Sequence, residues 1–159
     1  MSDGAPEKPN KVKPIPLLFD DFEAAEQRAL KLIPKFHSHL ADAKIRYICR
    51  NRAAKRAGIL IPGNVYKMSG KYAFLTGYDF VVEIALEVWN DYNETQRTAI
   101  VDHLLTRCIG EEKEEDGEMK WRVQAPSLQE FPEVAERNGQ WNDSLIDMHK
   151  CLMSNDKYG

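Results

Sequence analysis

The sequence predicts an α+β domain in which a three- to four-stranded sheet is packed by about four helices. Two observations carry this reading. Stretches that alternate apolar with polar residues, or that are dense in aromatic and β-branched ones, occur at residues 43–49, 65–68, 78–84 and 119–123, as half-buried or central strands require. Apolar residues also return at helical spacing from Asp20 or Asp21 to Pro34, from Glu94 to near Gly110, over residues 128–137 and over residues 143–153, each an amphipathic helix.

In the first helix the spaced residues are Phe22, Ala25, Ala29, Leu32 and Ile33, with an aspartate as N-cap. The first strand places Ile45, Tyr47 and Cys49 on one face. Residues 51–58 are basic and irregular, and Pro62-Gly63-Asn64 is a turn signal after Ile59–Ile61. The run from Tyr78 to Ile84 is the predicted central strand, and Asn93 caps the helix that follows, whose broad apolar face carries Val101, Leu104, Leu105 and Cys108. Ser127 is a predicted cap for the next helix, and Asn138-Gly139 ends it.

With 159 residues, 43% hydrophobic and 30% charged, the chain is in the globular range and long enough to bury a core without disulfides or a structural metal. Residues 1–16, with Pro6, Pro9, Pro14 and Pro16, are expected to form a flexible arm, and residues 17–155 a single domain. Cys49, Cys108 and Cys151 are odd in number and far apart, which predicts free thiols in a reducing compartment. No apolar run approaches the roughly 20 residues of a membrane span, and the N-terminus lacks a signal-peptide pattern. The expected location is the cytoplasm, with no membrane partner.

The net charge of −3 indicates neither a nucleic-acid binder nor an acidic mimic, but the distribution is uneven. Lys44, Arg46, Arg50, Arg52, Lys55 and Arg56 form a basic segment that continues to Lys67 and Lys71. Glu111, Glu112, Glu114, Glu115 and Asp116 crowd an expected acidic loop. Both are candidate binding surfaces, although charge runs are commonly no more than solvated faces. Trp89, Trp121 and Trp141 are expected to fill the core. Ser69, Ser127 and Ser144 lack a nucleophile signature.

The phrases Ile33-Pro34-Lys35-Phe36-His37-Ser38-His39-Leu40-Ala41-Asp42-Ala43-Lys44-Ile45, Phe74-Leu75-Thr76-Gly77-Tyr78-Asp79-Phe80-Val81-Val82-Glu83-Ile84, Trp89-Asn90, Asp102-His103, Glu130-Phe131 and Glu136-Arg137-Asn138-Gly139-Gln140-Trp141 follow one another in this order. Together they resemble the phage metallopeptidase family. The resemblance implies a small zincin-like domain. It also implies, on the helix after the central strand, a variant of His-Glu-x-x-His, in which two histidines one turn apart hold zinc and the glutamate is general base.

The corresponding residues here are Asp102-His103-Leu104-Leu105-Thr106-Arg107. His103 is kept, Leu104 replaces the base and Arg107 replaces the second ligand, so the motif is degenerate and no catalytic residue is assigned. A guanidinium is permanently charged and repels a divalent cation. The His-Asp pair that the family carries before Glu-Phe is also missing, since this chain reads Pro126-Ser127-Leu128-Gln129-Glu130-Phe131. His103 is then expected to be a buried histidine bonded by Asp102 or a carbonyl, and His37 and His39 to have structural roles at a helix end.

The expected function is that of a catalytically inactive metallopeptidase-like protein, without cofactor, that binds a bacterial host protein and inhibits a host or defence system. Two alternatives stand beside it. One is an active zinc metallopeptidase using a rearranged site of His103, Cys108, His149 and Cys151. The other is nucleic-acid binding through residues 44–71, with Tyr47, Tyr66 and Tyr72 to stack on bases.

Overall fold

Phe80, Val82 and Ile84 are almost wholly buried, while Val81 and Glu83 between them face the other way. This alternation organises the larger part of the chain. Burying each large apolar side chain contributes about 1.5–3 kcal/mol. A one-residue slip would exchange all of them for Val81 and Glu83, so the register is strongly fixed.

The computed structural model of the chain describes Gly4 and residues 15–155. The arm expected over residues 1–16 lies outside the described residues, apart from Gly4, Ile15 and Pro16. In order, the elements are β1 (Phe19–Asp21), α1 (Glu23–Phe36), a 3-10 turn (Ser38–Leu40), β2 (Ile45–Arg50), β3 (Ala54–Arg56), β4 (Ile59–Ile61), β5 (Gly63–Lys67), α2 (Lys71–Thr76), β6 (Phe80–Ala85), α3 (Leu86–Trp89), α4 (Glu94–Thr106), β7 (Cys108–Glu112), β8 (Met119–Val123), α5 (Pro132–Asn138) and α6 (Asp143–Met153). This is the predicted α+β class. The longer helices are α1, α4, α5 and α6, and α2 and α3 are short additions. The chain divides into two compact units, one ending at Thr106 and one beginning at Arg107.

The first unit is built on a four-stranded sheet of order β1-β2-β6-β5. β2 and β6 are parallel, and the outer strands are antiparallel to them. The pairing Tyr47↔Val82↔Val65 puts three buried residues side by side on one face. Ala25, Ala29 and Leu32 of α1 and Val101, Leu104 and Leu105 of α4 are also buried and complete the core. Trp89 is buried as expected, with Phe22 edge-on at 4.9 Å and the Arg28 and Arg97 guanidinium groups over its ring at 5.0 and 5.4 Å.

The opposite sheet face carries Arg46, Arg50, Tyr66 and Glu83. Glu83 is buried there, and its carboxylate accepts the Tyr66 hydroxyl at 3.1 Å. Burial and that carboxylate push the Tyr66 phenol up from its ordinary value. Residues 54–61, with the basic Lys55 and Arg56, form the hairpin β3–β4.

In the second unit β7 and β8 are an antiparallel pair, so Glu111 and Glu112 stand on a strand, and only the turn beyond them is a loop. Gly110 is required in β7 because an added Cβ would collide with the Trp121 ring.

Some expected boundaries move. Asp20 and Asp21 belong to β1 instead of capping α1, since the Asp21 carboxylate is taken by Arg46 at 2.8 Å. Pro34 lies within α1, in the last turn, where its ring takes one N–H donor out of the helical ladder, and the helix ends two residues on, at Phe36. α4 ends at Thr106, and Cys108 pairs with Val123 in β7. α5 starts at Pro132 rather than Leu128, in the first turn, where proline's missing N–H costs nothing.

Candidate functional site

The helix that carries the degenerate motif is capped by a reciprocal pair. Asn93 Oδ1 accepts the Gln96 amide at 2.9 Å, and Gln96 Oε1 accepts the Asn93 amide at 3.0 Å. This fixes which residues of α4 meet the sheet. Leu104, at the general-base position, is 1% exposed. It packs so closely on β5 that a Cβ on Gly63 would lie 2.8 Å from Leu104 Cδ1 and 2.9 Å from the Glu83 carbonyl oxygen. Leu104, which the resemblance sets at the general-base position, is thus part of the core.

His103 is exposed, not the buried histidine expected from its place beside Asp102. Asp102 instead engages His37, whose Nε2 lies 2.6 Å from Asp102 Oδ1. His37 is 5% exposed, and an ionised carboxylate only accepts, so Nε2 donates. The His37 amide also closes the end of α1 on the Ile33 carbonyl at 2.9 Å, and its carbonyl accepts the Leu40 amide at 2.8 Å. His37 thus ties the end of α1 to the middle of α4. The exposed His39 ring stands 6.2 Å from that of His37, edge to face.

The donor set does not fit a catalytic zinc. Of the motif positions, one is an exposed histidine, one a core leucine and one Arg107, whose Nε donates to the Gln124 carbonyl at 3.2 Å. The rearranged site fares no better. Cys108 is on β7, His149 and Cys151 are on α6, and among the described residues no three His, Cys, Asp or Glu side chains are gathered as a metal needs. Burial pushes the Cys108 thiol up to about 12.

Of the basic residues, Lys44, Arg46, Arg52, Lys55 and Arg56 are exposed and Arg50 is half-buried. Arg46 is paired with Asp21, and Arg50 Nε donates to the Arg52 carbonyl at 2.6 Å. Glu111, Glu112, Glu114, Glu115 and Asp116 are all exposed, and Arg122 bridges Glu111 at 3.2 Å. Trp141 is 55% exposed, contrary to the core position expected of it.

Two openings were not foreseen from the sequence. One, of about 390 Å³, lies between α1 and the start of β2 and is lined by Leu30, Ile33, Pro34, Leu40 and Ile45 among others. The other, of about 440 Å³, is lined by Asp21, Glu23, Glu26, Arg46 and Tyr78. Glu26, Ile45 and Tyr47 border both. The sequence held a partial signal: Glu26, Leu30 and Ile33 share a helix face by spacing, but nothing in it indicated that the face stays open.

The fold is of the small α+β class, and α4 carries Asp102 and His103 of the segment that resembles a zinc-peptidase motif. The family described as putative phage metallopeptidase matches residues 19–150, most of the chain, and the chain belongs to that family. Comparison with curated proteins and with solved structures gives no match. Among the described residues no helix is long and apolar enough to cross a membrane.

Proposed function

We propose that this chain is a catalytically inactive member of its family that acts by binding a bacterial host protein, thereby inhibiting a host or defence system. The observation that carries inactivity is the burial of Leu104 at the base position, pressed against Gly63. No small rotation supplies a carboxylate there, and a metal-bound water would have no base beside it. Action by contact is supported by large apolar side chains left in solvent. Tyr72, Phe74 and Leu75 on α2 are 57%, 86% and 72% exposed, more than scattered surface residues usually amount to.

The test combines two measurements on the purified full chain. Metal analysis after zinc loading, with a peptidase assay, is expected to give neither stoichiometric zinc nor cleavage. Affinity capture from bacterial lysate is expected to recover one reproducible partner. Tightly held zinc with cleavage overturns inactivity, and the absence of any reproducible partner overturns the binding role.

A further inference from the structure

We propose that α2 is the docking element, and that the partner protein lays against Phe74 and Leu75 an amphipathic segment whose apolar stripe is bordered by carboxylates, which meet Lys67 and Lys71. This rests on the reading of the chain as a binding protein and names both the surface it uses and the chemistry of the partner.

The helix is held in shape without being packed. Lys67 ends β5 opposite Phe80, the first residue of β6. The Met68 amide donates to the Asp79 carbonyl at 2.8 Å, so the connection that carries α2 leaves and rejoins the sheet at one end. Within it the Tyr72 amide donates to the Ser69 carbonyl at 3.1 Å, and the Thr76 hydroxyl donates to the Tyr72 carbonyl at 2.7 Å. Gly77, at φ 74°, closes the helix on the Ala73 carbonyl at 2.8 Å. None of the helical residues is buried. So short a helix is marginal by itself, and here hydrogen bonds at its base and end fix it with its apolar side chains in water. A surface already ordered in this way loses less entropy on binding.

The chemistry of the patch selects the occupant. Phe74 and Leu75 follow Lys71 by three and four residues, which sets all three on one helix face, and all three are exposed. The Lys71 ammonium lies 5.4 Å from the centre of the Tyr72 ring, so cation and apolar surface adjoin. Between Asp42 and Asp79 the sequence has no acid. The Asp79 carboxylate accepts the Lys44 amide at 2.8 Å, and that of Glu83 accepts the Tyr66 hydroxyl. Among the described residues no ion pair holds Lys67 or Lys71. An opposing carboxylate is therefore favoured. A second copy docked through a two-fold axis on this face would set Lys71 against Lys71, like charge on like. A phosphate backbone would pair with the lysines and leave Leu75 in water.

The probes are a fluorescent amphipathic peptide with a leucine stripe bordered by glutamates, its lysine counterpart, and a glutamate peptide of the same length without leucines. Titration into the full chain, followed by fluorescence anisotropy, is expected to show binding of the first alone. Phe74→Ser is expected to weaken it about tenfold or more. The double variant Lys67→Glu with Lys71→Glu is expected to transfer binding to the lysine counterpart. The three side chains are exposed, so both variants keep the fold, which circular dichroism checks.

Equal binding of the two leucine peptides, equal binding of the peptide without leucines, no binding, or indifference to Phe74→Ser overturns the docking element. So does tighter binding of phosphatidylglycerol vesicles or of single-stranded DNA than of the first peptide. The two readings fail separately. If wild type and Phe74→Ser capture the same lysate partner equally, α2 is not the surface while the binding role stands; if neither captures any partner, the role itself is wrong.

Discussion

His37 Nε2 and Asp102 Oδ1 are joined by a 2.6 Å hydrogen bond that links the end of α1 to the middle of α4. The imidazole is buried, whereas the carboxylate is 46% exposed at its side chain. The aspartate that precedes the motif histidine thus orients a different histidine and leaves His103 to solvent. Asp102→Ala strands a buried donor, at a cost of about 1–3 kcal/mol, and water reaching the exposed side holds the loss near the lower figure. Asp102→Asn keeps an acceptor and should lose less. Urea unfolding of the two variants measures this; equal stability of Asp102→Ala and wild type would remove the structural role assigned to the pair.

Placing at residue 104 the glutamate that the resemblance implies should damage the fold. Leu104→Glu places a carboxylate at a site 1% exposed, with the Gly63 backbone too close for rearrangement. Loss of apolar packing and burial of an uncompensated polar group together cost about 3 kcal/mol or more. The double variant Leu104→Glu with Arg107→His is expected to unfold earlier in urea and to hold no stoichiometric zinc. A double variant as stable as wild type and carrying one zinc per chain would contradict the packing described for α4.

What was legible in the sequence depended on whether the signal was local. β8 and α6 occupy the predicted residues 119–123 and 143–153, because alternation and helical spacing each run uninterrupted there. The Asn93 cap was legible for the same reason. The end of α4 was not, since Cys108 extends the apolar spacing of the helix. Only pairing with Val123, remote in sequence, turns that residue into a strand. β1 was missed because its residues Phe19, Asp20 and Asp21 are all exposed and show no alternation. The broken motif could be read residue by residue, but which histidine Asp102 would hold depends on how α1 and α4 cross.

The hairpin β3–β4 turns through Ala57 and Gly58, both at positive φ, 50° and 80°. Such a turn favours Asn-Gly, and a residue with a Cβ loses about 1–2 kcal/mol in the left-handed region. Asparagine tolerates that region better than alanine. Ala57→Asn is therefore expected to stabilise the hairpin by about 0.5–1 kcal/mol, read as slower amide exchange across residues 54–61. Faster exchange would show that Ala57 is not strained in solution.

The thiols should separate by environment. Cys151 is exposed, whereas Cys49 and Cys108 are buried, and burial raises the pKa of both buried thiols, that of Cys108 to about 12. A disulfide reagent at neutral pH is expected to modify Cys151 at once, Cys49 slowly and Cys108 only on unfolding. The same shift makes stability depend on pH. Above the ordinary thiol value of 9.0 the unfolded chain releases the Cys108 proton while the folded chain keeps it. The unfolded state then binds fewer protons, and stability falls as pH rises from about 9 toward 12. Cys108→Ala should flatten this alkaline slope while lowering stability at neutral pH through the cavity it leaves. An unchanged slope in that variant would mean that Cys108 is not held as a thiol in the folded protein.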